Sequence, residues 1–410
     1  MFSEALYNAG INAFSVVIKL AGAFNTKAKK RSQGGKVAFK QLEEHDFRSK
    51  PTIWIHAASL GEFEQGRPVI EEIRERKPQY QILLTFFSPS GYEVRKDYSK
   101  ADLVTYIPLD RESSVKRFLD ITNPEIVILI KYEFWSNLIT ELSKRSIPIY
   151  SVSSIFRSSQ VFFKGYGSFF RSSLERINHF FVQDKQSLNL LSSIKINRVT
   201  VVGDTRFDRV IDIAENKSSI EEVENFVKES KVLVIGSSWQ EDLEVILPYI
   251  NETSNNLKFI IAPHEISEKS IKWIRQKLEV KHTLFSNYKE DQSKVLIIDN
   301  IGMLSSIYGY GHYAFIGGAY GDGLHNILEA AVYGIPIMFG NKNYKKFAEA
   351  IKAIELGGAF TVSDSEEFKL IMNKLMDSAF YRECGSANKN FVYKNKGATQ
   401  KIMDKIFQSL

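Results

Sequence analysis

The sequence predicts an α/β protein with two Rossmann-like parallel-sheet domains that face each other across a cleft, preceded by a membrane-associating helix. Three observations lead to this prediction. The chain has 410 residues, a length that suits two domains rather than one. Strand-like apolar runs alternate with helical stretches, which is the pattern of βαβ units around a parallel sheet. After a polar stretch over 211–230 without a strand signal, the same alternation begins again.

The predicted strands form two series along the chain. The first series comprises residues 52–57, 81–86, 126–130, 148–152, 179–183 and 199–202, and the second comprises 232–236, 259–262, 295–298, 314–316 and 335–339. We therefore predict a helix over residues 1–26, an N-terminal domain over 27–212, a C-terminal domain over 213–385 and a final helix over 386–410 that returns to the N-terminal domain. Two such halves bind ligands in the cleft at the carboxyl ends of their strands.

Basic residues are concentrated at the N-terminus. Residues 1–40 hold seven basic residues and one acidic residue, and their net charge of +6 equals that of the whole chain. A basic end on an electrically neutral body suits an anionic membrane surface better than a nucleic-acid groove. The single cysteine, Cys384, excludes an intrachain disulfide and multi-cysteine zinc clusters, and it indicates a reducing, cytoplasmic setting.

The first helix is predicted from residues 5–24, ALYNAGINAFSVVIKLAGAF. Its polar residues Asn8, Asn12, Ser15 and Lys19 form one narrow stripe, and the rest of its circumference is apolar. A cleaved signal peptide is excluded because the basic cluster follows the apolar run. The polar stripe favours a helix that lies in the membrane interface. A membrane-spanning helix and a helix packed on the protein's own core remain alternatives.

Glu62 is the first candidate for chemistry. It lies in the segment 56–68, HAASLGEFEQGRP, where a predicted strand turns into a helix. A carboxylate at the carboxyl end of a parallel strand is well placed to remove a hydroxyl proton from a ligand in the cleft. The alternative interpretation is that Glu62 only caps the helix that begins there.

Glu133 is the second candidate. It follows the apolar run of the segment 128–139, ILIKYEFWSNLI, between a predicted buried strand and an aromatic pair. Charges in such a place are costly unless they have partners. Glu133 could orient an acceptor or stabilise developing positive charge. The alternative interpretation is a surface ion pair with Lys131 beside a core tryptophan.

Arg206 is the third candidate, in the segment 203–210, GDTRFDRV. Its guanidinium offers a planar cation to a carboxylate or a phosphate. The alternative interpretation is a structural salt bridge to Asp204 or Asp208.

A glycine-rich loop in the segment 314–340 indicates a phosphate site. Gly317 and Gly318 follow a predicted strand, and a helix is predicted to begin near Asn326. Glycines let the backbone approach a phosphate, and the amides at a helix start attract it. Glu329 would accept the hydroxyls of a ribose, although a capping box explains the same spacing equally well.

Other strand-end segments of the second half would line the same pocket. They are Pro263 with His264, the residues Gly302, Met303 and Leu304, and the loop 236–242 with the hydroxyls of Ser237 and Ser238. The sequence has no HxH, HExxH or paired-aspartate signature, so we expect neither a metal ion nor another cofactor.

Five segments, taken together and in this order, resemble the bacterial transferases of 3-deoxy-D-manno-octulosonic acid (Kdo): HAASLGEFEQGRPVI, YEFWSNLI, VGDTRFD, APHE and GGAYGDGLHNILEAAVYGIPIMFG. The resemblance implies a GT-B fold and an inverting, metal-independent glycosyltransferase at the cytoplasmic side of the inner membrane. It implies transfer of Kdo from CMP-Kdo to a lipid A precursor, lipid IVA, in lipopolysaccharide core biosynthesis, with no nucleic-acid partner.

The resemblance also implies roles for individual residues. Glu62 matches the general base that deprotonates the acceptor hydroxyl, Glu133 matches an acidic residue that supports the transition state, and Arg206 matches a third catalytic position. Contacts to CMP are implied for Pro263, His264, Gly302, Met303, Leu304, Asn326, Ile327, Leu328 and Glu329.

Three positions depart from the family pattern. Arg206 stands where lysine is usual, which keeps the charge but not the capacity to donate a proton. Pro263 stands where arginine is common. Lys131 stands where an acidic residue is common, so Glu133 is the only carboxylate of that strand end. The segment 153–181 interleaves phenylalanines with arginine and lysine, which suits a phosphorylated, acylated acceptor.

Two other functions remain open from the sequence. A nucleotide-sugar 2-epimerase shares the GT-B architecture and a similar nucleotide pocket, but it needs no membrane helix and no lipid acceptor. A membrane-bound CMP-sugar-binding module would use its acidic residues only as helix caps.

Overall fold

The computed structural model describes residues 2–254, 256–290 and 292–408, so residues 1 and 409–410 of the predicted terminal segments lie outside the described part. The chain forms two compact units. The first unit contains Met1–Asp208 together with Gly397–Leu410, and the second contains Arg209–Lys396.

The first unit is built on seven strands. They are β1 (Thr52–Ala57), β2 (Gln81–Phe86), β3 (Leu103–Tyr106), β4 (Ile126–Ile130), β5 (Ile149–Ser154), β6 (His179–Val182) and β7 (Val199–Val201). Its helices are α1 (Phe2–Ala21), α2 (Thr26–Glu44), α3 (Leu60–Arg76), α4 (Pro89–Arg95), α5 (Glu112–Thr122), α6 (Ser136–Lys144), α7 (Ser168–Leu174), α8 (Lys185–Ser193) and the start of α9 (Thr205–Glu215). The strands pair in parallel in the order β3-β2-β1-β4-β5-β6-β7.

The second unit repeats this plan. Its strands are β8 (Lys231–Ser238), β9 (Leu257–Pro263), β10 (His282–Leu284), β11 (Val295–Ile297), β12 (Tyr313–Ile316), β13 (Ile337–Gly340) and β14 (Ala359–Val362). Its helices are α10 (Glu221–Val227), α11 (Gln240–Glu252), α12 (Glu268–Lys277), α13 (Leu304–Ile307), α14 (Leu328–Ala331), α15 (Ala348–Glu355), α16 (Ser365–Leu375) and α17 (Ser378–Lys394). The strands pair in parallel in the order β10-β11-β9-β8-β12-β13-β14.

Alternate side chains of the central strands fill two apolar layers, one on each face of the first sheet. Ile53 and Ile55 of β1 belong to one layer, and Trp54 between them belongs to the other. A parallel sheet covered by helices on both faces needs apolar residues at every position. This burial explains why the central strands read as continuous apolar runs in the sequence.

The C-terminal helix α18 (Ala398–Phe407) completes the first unit. Ile402, Met403 and Ile406 lie in the same apolar layer as Ile53. The carboxylate of Asp208 accepts hydrogen bonds from the amides of Gly397 at 2.6 Å and Thr399 at 2.7 Å. The predicted boundary after residue 385 falls inside α17, which the second unit keeps whole up to Lys396.

The structure confirms two parallel-sheet Rossmann-like units, and each run predicted as a strand overlaps an observed strand. Sequence reasoning missed β3, β10 and β14. All three strands lie at the edge of a sheet, and they are only three or four residues long. An edge strand is paired on one side only and needs less apolar surface, so its apolar signal is short.

Two residues of the polar stripe of helix α1, Asn8 and Ser15, contact the rest of the first unit, whereas Asn12 and Lys19 are exposed. Ser15 is 3% exposed, and the side chain of Asn137 donates a 2.7 Å hydrogen bond to Oδ1 of Asn8. The opposite face leaves Leu6, Val16, Val17 and Leu20 more than half exposed. Within the described ranges, no helix combines the length and the apolar character that crossing a bilayer requires.

Candidate active site

Backbone strain marks the carboxyl edge of the first sheet. Lys131, which follows β4, and Ser153, near the end of β5, adopt left-handed backbone with φ of 65° and 58°. Such conformations cost about 1–3 kcal/mol for a non-glycine residue and persist where the surroundings hold them. The amide of Lys131 donates to the carbonyl of Val152 at 2.8 Å, and the hydroxyl of Ser154 donates to the carbonyl of Lys131 at 2.8 Å. Strain held in this way is typical of functional sites.

Glu62 lies in the first turn of α3, directly after the carboxyl end of β1. Its Oε2 accepts a 2.6 Å hydrogen bond from the amide of Ala58, so one oxygen of the carboxylate acts as a cap. Among the described residues, no hydrogen-bond donor reaches Oε1. Burial and the nearby charge of Glu133 raise the pKa of Glu62, although the Ala58 amide, Lys131 and His56 act against the rise. A half-buried carboxyl group with a raised pKa suits a general base.

Glu133 lies in the turn after β4, the strand that pairs with β1. Its Oε2 accepts hydrogen bonds from Nε2 of His56 at 3.3 Å and from Nε1 of Trp135 at 2.7 Å. Burial acts to raise the pKa of Glu133, but the hydrogen bond and charge of His56 and the bond from Trp135 outweigh it and hold the pKa below its usual range. The structure therefore places the ionised carboxylate of Glu133 beside Glu62. Its hydrogen-bond partners are His56 and Trp135, and not Lys131 as the alternative interpretation had it.

His56 is a residue that sequence reasoning left without a role. It lies within β1, its side chain is fully buried, and it links Glu133 to Thr85 on the neighbouring strand. The available signal was a histidine inside an otherwise apolar strand, which needs hydrogen-bond partners once it is buried.

Arg206 forms a structural salt bridge to Asp204, as its alternative interpretation proposed. Its Nε and Nη2 donate to Oδ2 of Asp204 at 2.9 and 2.7 Å, and its amide donates to Oδ1 of the same residue at 2.9 Å. The carboxylate of Asp208 instead holds the start of α18. The structure thus gives Arg206 a local structural partner at the start of α9.

The glycine-rich loop of the second unit differs from the prediction. The amide of Gly317 donates to the carbonyl of Gly236 at 2.9 Å, and the amide of Gly318 donates to Oδ2 of Asp242 at 2.9 Å. A Cβ atom on Gly317 would lie 2.3 Å from the carbonyl oxygen of Ser237. Both amides are therefore engaged within the protein, and the glycines serve close backbone packing instead of presenting donors to a phosphate.

An aromatic stack lies beside this loop. The ring of His264 stacks on Trp239 at 4.3 Å and lies 4.7 Å from the ring of His325. Nε1 of Trp239 donates to Nε2 of His325 at 3.2 Å. Burial, reinforced by His264, lowers the pKa of His325 to about 4, so its ring is neutral at pH 7. The stack brings the predicted contact at His264 next to the segment that begins at Asn326.

The predicted ribose contacts also meet in the second unit. Nδ2 of Asn326 donates to Oε1 of Glu329 at 3.2 Å, and the hydroxyl of Ser305 donates to Oε2 of Glu329 at 2.6 Å. Ser305 directly follows the predicted contacts Gly302, Met303 and Leu304. The side chains of Ile327 and Leu328 are fully buried, which leaves only their backbone for a ligand. Helix α14 has a single turn, so its dipole adds little to anion binding.

A cavity of about 300 Å³ opens next to Pro263, between the starts of α11 and α12. Its lining includes Ser238, Trp239 and Trp273. The hydroxyl of Ser238 is buried and has no hydrogen-bond partner among the described residues. Within the ranges that the structure describes, no group of three or more histidine, cysteine, aspartate or glutamate side chains is placed to hold a metal ion.

The chain is similar to proteins of one family. The family described as "3-Deoxy-D-manno-octulosonic-acid transferase (kdotransferase)" matches residues 29–209. The 3-deoxy-D-manno-octulosonic acid transferase of Aquifex aeolicus is 29% identical over 72% of this chain and 78% of its own length. That of Rickettsia bellii is 26% identical over 90% of this chain and 89% of its own length.

Solved structures support the fold alone. The UDP-GlcNAc 2-epimerase from Neisseria meningitidis superposes with a TM-score of 0.61 at 16% identity, and covers 87% of this chain and all of its own. Anabaena HepE in complex with UDP gives a TM-score of 0.56 at 10% identity, with 88% of this chain covered and all of its own. The family match over residues 29–209 and the transferase relatives make the chain similar to the Kdo transferases, and its two Rossmann-like units give it a fold of the GT-B type.

Proposed function

We propose that the protein transfers Kdo from CMP-Kdo to a lipid A precursor, lipid IVA, at the cytoplasmic side of the inner membrane during lipopolysaccharide core biosynthesis. The observation that carries the proposal is the half-buried Glu62 with a raised pKa, at the carboxyl edge of the first sheet, in a chain whose residues 29–209 match the Kdo transferase family. The reaction is a single inverting displacement that uses no metal ion.

Glu62 acts as the general base in this proposal. Its Oε2 is held by the Ala58 amide, and its Oε1 receives the proton of a glucosamine hydroxyl. The deprotonated oxygen attacks the anomeric carbon of Kdo while the bond from that carbon to the CMP phosphate oxygen breaks. A raised pKa makes this carboxylate a stronger base than an ordinary glutamate, as long as it is ionised at the working pH.

Glu133 stabilises the positive charge that develops on the sugar. Its pKa is held low, so it remains ionised while Glu62 takes up a proton. Two carboxyl groups whose environments push their pKa values apart suit two different roles in one site. Arg206, paired with Asp204, is assigned here to supporting the start of α9 and not to proton transfer.

The second unit binds the nucleotide. The Trp239 and His264 rings offer a flat surface to the cytosine base. The carboxylate of Glu329 accepts hydrogen bonds from the ribose hydroxyls. Because the amides of Gly317 and Gly318 are engaged, we assign phosphate binding to the hydroxyl of Ser238. This hydroxyl needs a partner, since an unsatisfied buried polar group costs about 1–3 kcal/mol.

Helix α1 binds the membrane surface. Its exposed apolar face, with Val16, Val17 and Leu20, enters the interface, while Asn8 and Ser15 stay on the protein. The exposed lysines over 19–40 attract anionic headgroups, each contributing about 1 kcal/mol near the surface, whereas Arg31 is buried. This arrangement keeps the first unit next to a lipid acceptor.

The decisive experiment compares Glu62→Gln with the wild type. Transfer is measured by mass spectrometry of the product formed from CMP-Kdo and a tetra-acylated disaccharide bisphosphate. We expect Glu62→Gln to fold and to bind CMP normally while turnover falls by about 100-fold or more, the usual contribution of a general base. Glu64→Gln on the same helix is the matched control and should retain activity. Near-normal transfer by Glu62→Gln would remove the base assignment, and no Kdo product from the wild type would remove the function.

A further inference from the structure

A continuous hydrogen-bond chain links β1 and β2 of the first sheet and ends on Glu133, in the turn after β4. Nε1 of Trp54 lies 2.8 Å from Oγ1 of Thr85, which lies 2.9 Å from Nδ1 of His56. Nε2 of His56 lies 3.3 Å from Oε2 of Glu133. Trp54, Thr85 and His56 are all fully buried.

The chemistry of Trp54 and Glu133 fixes the direction at the two ends of the chain. The indole nitrogen of Trp54 can only donate, so Oγ1 of Thr85 accepts from it. Nδ1 of His56 lies 2.9 Å from that hydroxyl and 3.0 Å from the carbonyl oxygen of Thr85, so it is held between a group that can donate to it and a group that can accept from it. The carboxylate of Glu133 can only accept, so Nε2 of His56 carries a proton and donates it to Glu133.

We propose that His56 is a positioning residue of the transfer reaction, which uses its Nε2 proton to fix the orientation of Oε2 of Glu133. The proposal rests on the proposed function, in which Glu133 stabilises the transition state. Trp135 donates to the same oxygen at 2.7 Å, so two N–H groups from different elements hold Oε2. Among the described residues nothing donates to Oε1, which is thereby presented to the sugar.

The fully buried chain explains why this orientation is rigid. His56 lies on β1, whose register against β4 pairs it with Leu129, so its position is set by the sheet itself. A donor on a strand fixes the orientation of a carboxylate more precisely than a donor on a loop would. Glu62 also lies near Glu133, and the two carboxylates repel each other, so a fixed donor is needed to hold Glu133 in one orientation.

The test uses variants that distinguish loss of the hydrogen-bond donor from loss of folding stability. His56→Leu removes the donor and suits a buried strand. His56→Gln places an amide N–H near the former Nε2 and should restore most of the lost rate. Thr85→Val removes the hydroxyl that contacts Nδ1 of His56, and Thr85→Ser retains it. His179→Leu is the matched control, because His179 lies on β6 of the same sheet and contacts the hydroxyl of Thr200 at 2.8 Å.

For variants that keep the wild-type melting temperature, we expect His56→Leu to lower kcat by about 10- to 100-fold, the range of groups that orient another functional group. The KM values for CMP-Kdo and the acceptor should stay the same, since no ligand contact is lost. An unchanged kcat in both His56→Leu and Thr85→Val would overturn the positioning role. Failure of the wild type to transfer Kdo would instead overturn the proposed function.

A second measurement needs no turnover. In protein labelled with ¹⁵N-histidine, the His56 signals are those that disappear in His56→Gln. We expect a protonated Nε2 in the wild type. This measurement can be made even if His56→Leu is too unstable for kinetics. A His56 ring with an unprotonated Nε2 would overturn the proposal, because it could not donate to Glu133.

Discussion

The hydroxyl of Tyr7 donates a 2.6 Å hydrogen bond to Oδ2 of Asp110, and this bond ties α1 to the first unit. Asp110 is buried, and its carboxylate also accepts from the amides of Asn137 at 3.0 Å and Leu138 at 2.8 Å, at the start of α6. The turn that carries Glu133 and Trp135 leads directly into α6. Helix α1 is therefore connected to the same turn as the candidate site.

Tyr7→Phe should destabilise the first unit. The change removes a hydrogen bond to a buried carboxylate, so we expect the free energy of unfolding to fall by about 1–3 kcal/mol. Thermal melts of full-length protein measure the loss. Tyr166→Phe is the control, since Tyr166 is 79% exposed and its hydroxyl is accessible to water. Equal melting temperatures for the two variants would contradict the structural role of Tyr7.

Lys131→Met should move the acid limb of the pH–rate profile to higher pH. The positive charge of Lys131 lowers the pKa of Glu62, so its removal raises that pKa further. Glu62 must be ionised to accept a proton, so activity is complete above its pKa and is lost as the pH falls through it. The dependence of kcat/KM on pH shows the displacement. Lys131→Arg keeps the charge and should keep the wild-type limb, whereas a common shift in both variants would refute this explanation.

Asp242 should make stability depend on pH in the second unit. Burial raises its pKa from 3.8 to about 6, although the amides of Trp239 and Gly318 act against the rise. The folded state therefore holds this proton more tightly than the unfolded chain does. Stability contributed by the protonated form is lost as the pH rises from about 4 to about 6, by up to about 3 kcal/mol.

Asp242→Asn should lack this loss of stability. Denaturant unfolding between pH 4 and 7 measures the difference between the variant and the wild type. Glu241→Gln, at the exposed neighbouring position, should keep the wild-type dependence. A parallel pH dependence in wild type and Asp242→Asn would show that Asp242 is not its source.

The exposed face of α1 should control membrane binding. A buried aliphatic side chain contributes about 1.5–3 kcal/mol, so the double variant Val17→Asp and Leu20→Asp should weaken binding by about 100-fold or more. Flotation with vesicles that contain anionic phospholipid measures the bound fraction. The control is Leu370→Asp, which changes an exposed leucine of α16 in the second unit. Undiminished flotation of the double variant would exclude this face as the membrane-binding surface.

Local patterns in the sequence were enough to predict the central strands of both sheets. Residues such as Ile53 and Val127 lie in continuous apolar runs because a parallel sheet buries both of its faces. The same patterns indicated Glu62 and Glu133 as candidates, since each follows the carboxyl end of a central strand. Their opposite pKa shifts depend on burial and on neighbours distant in sequence, which no local pattern contains.

The sequence by itself determined the α/β class, the two repeated halves and the composition of the polar stripe on α1. Only the tertiary structure decided that Asn8 and Ser15 of this stripe contact the protein, that the amides of Gly317 and Gly318 are already engaged, and that His56 connects Thr85 to Glu133. The physical reason is the range of the interactions. Apolar periodicity is a property of neighbouring residues, whereas a hydrogen-bond partner 29 or 77 residues away is chosen by the register of the folded sheet.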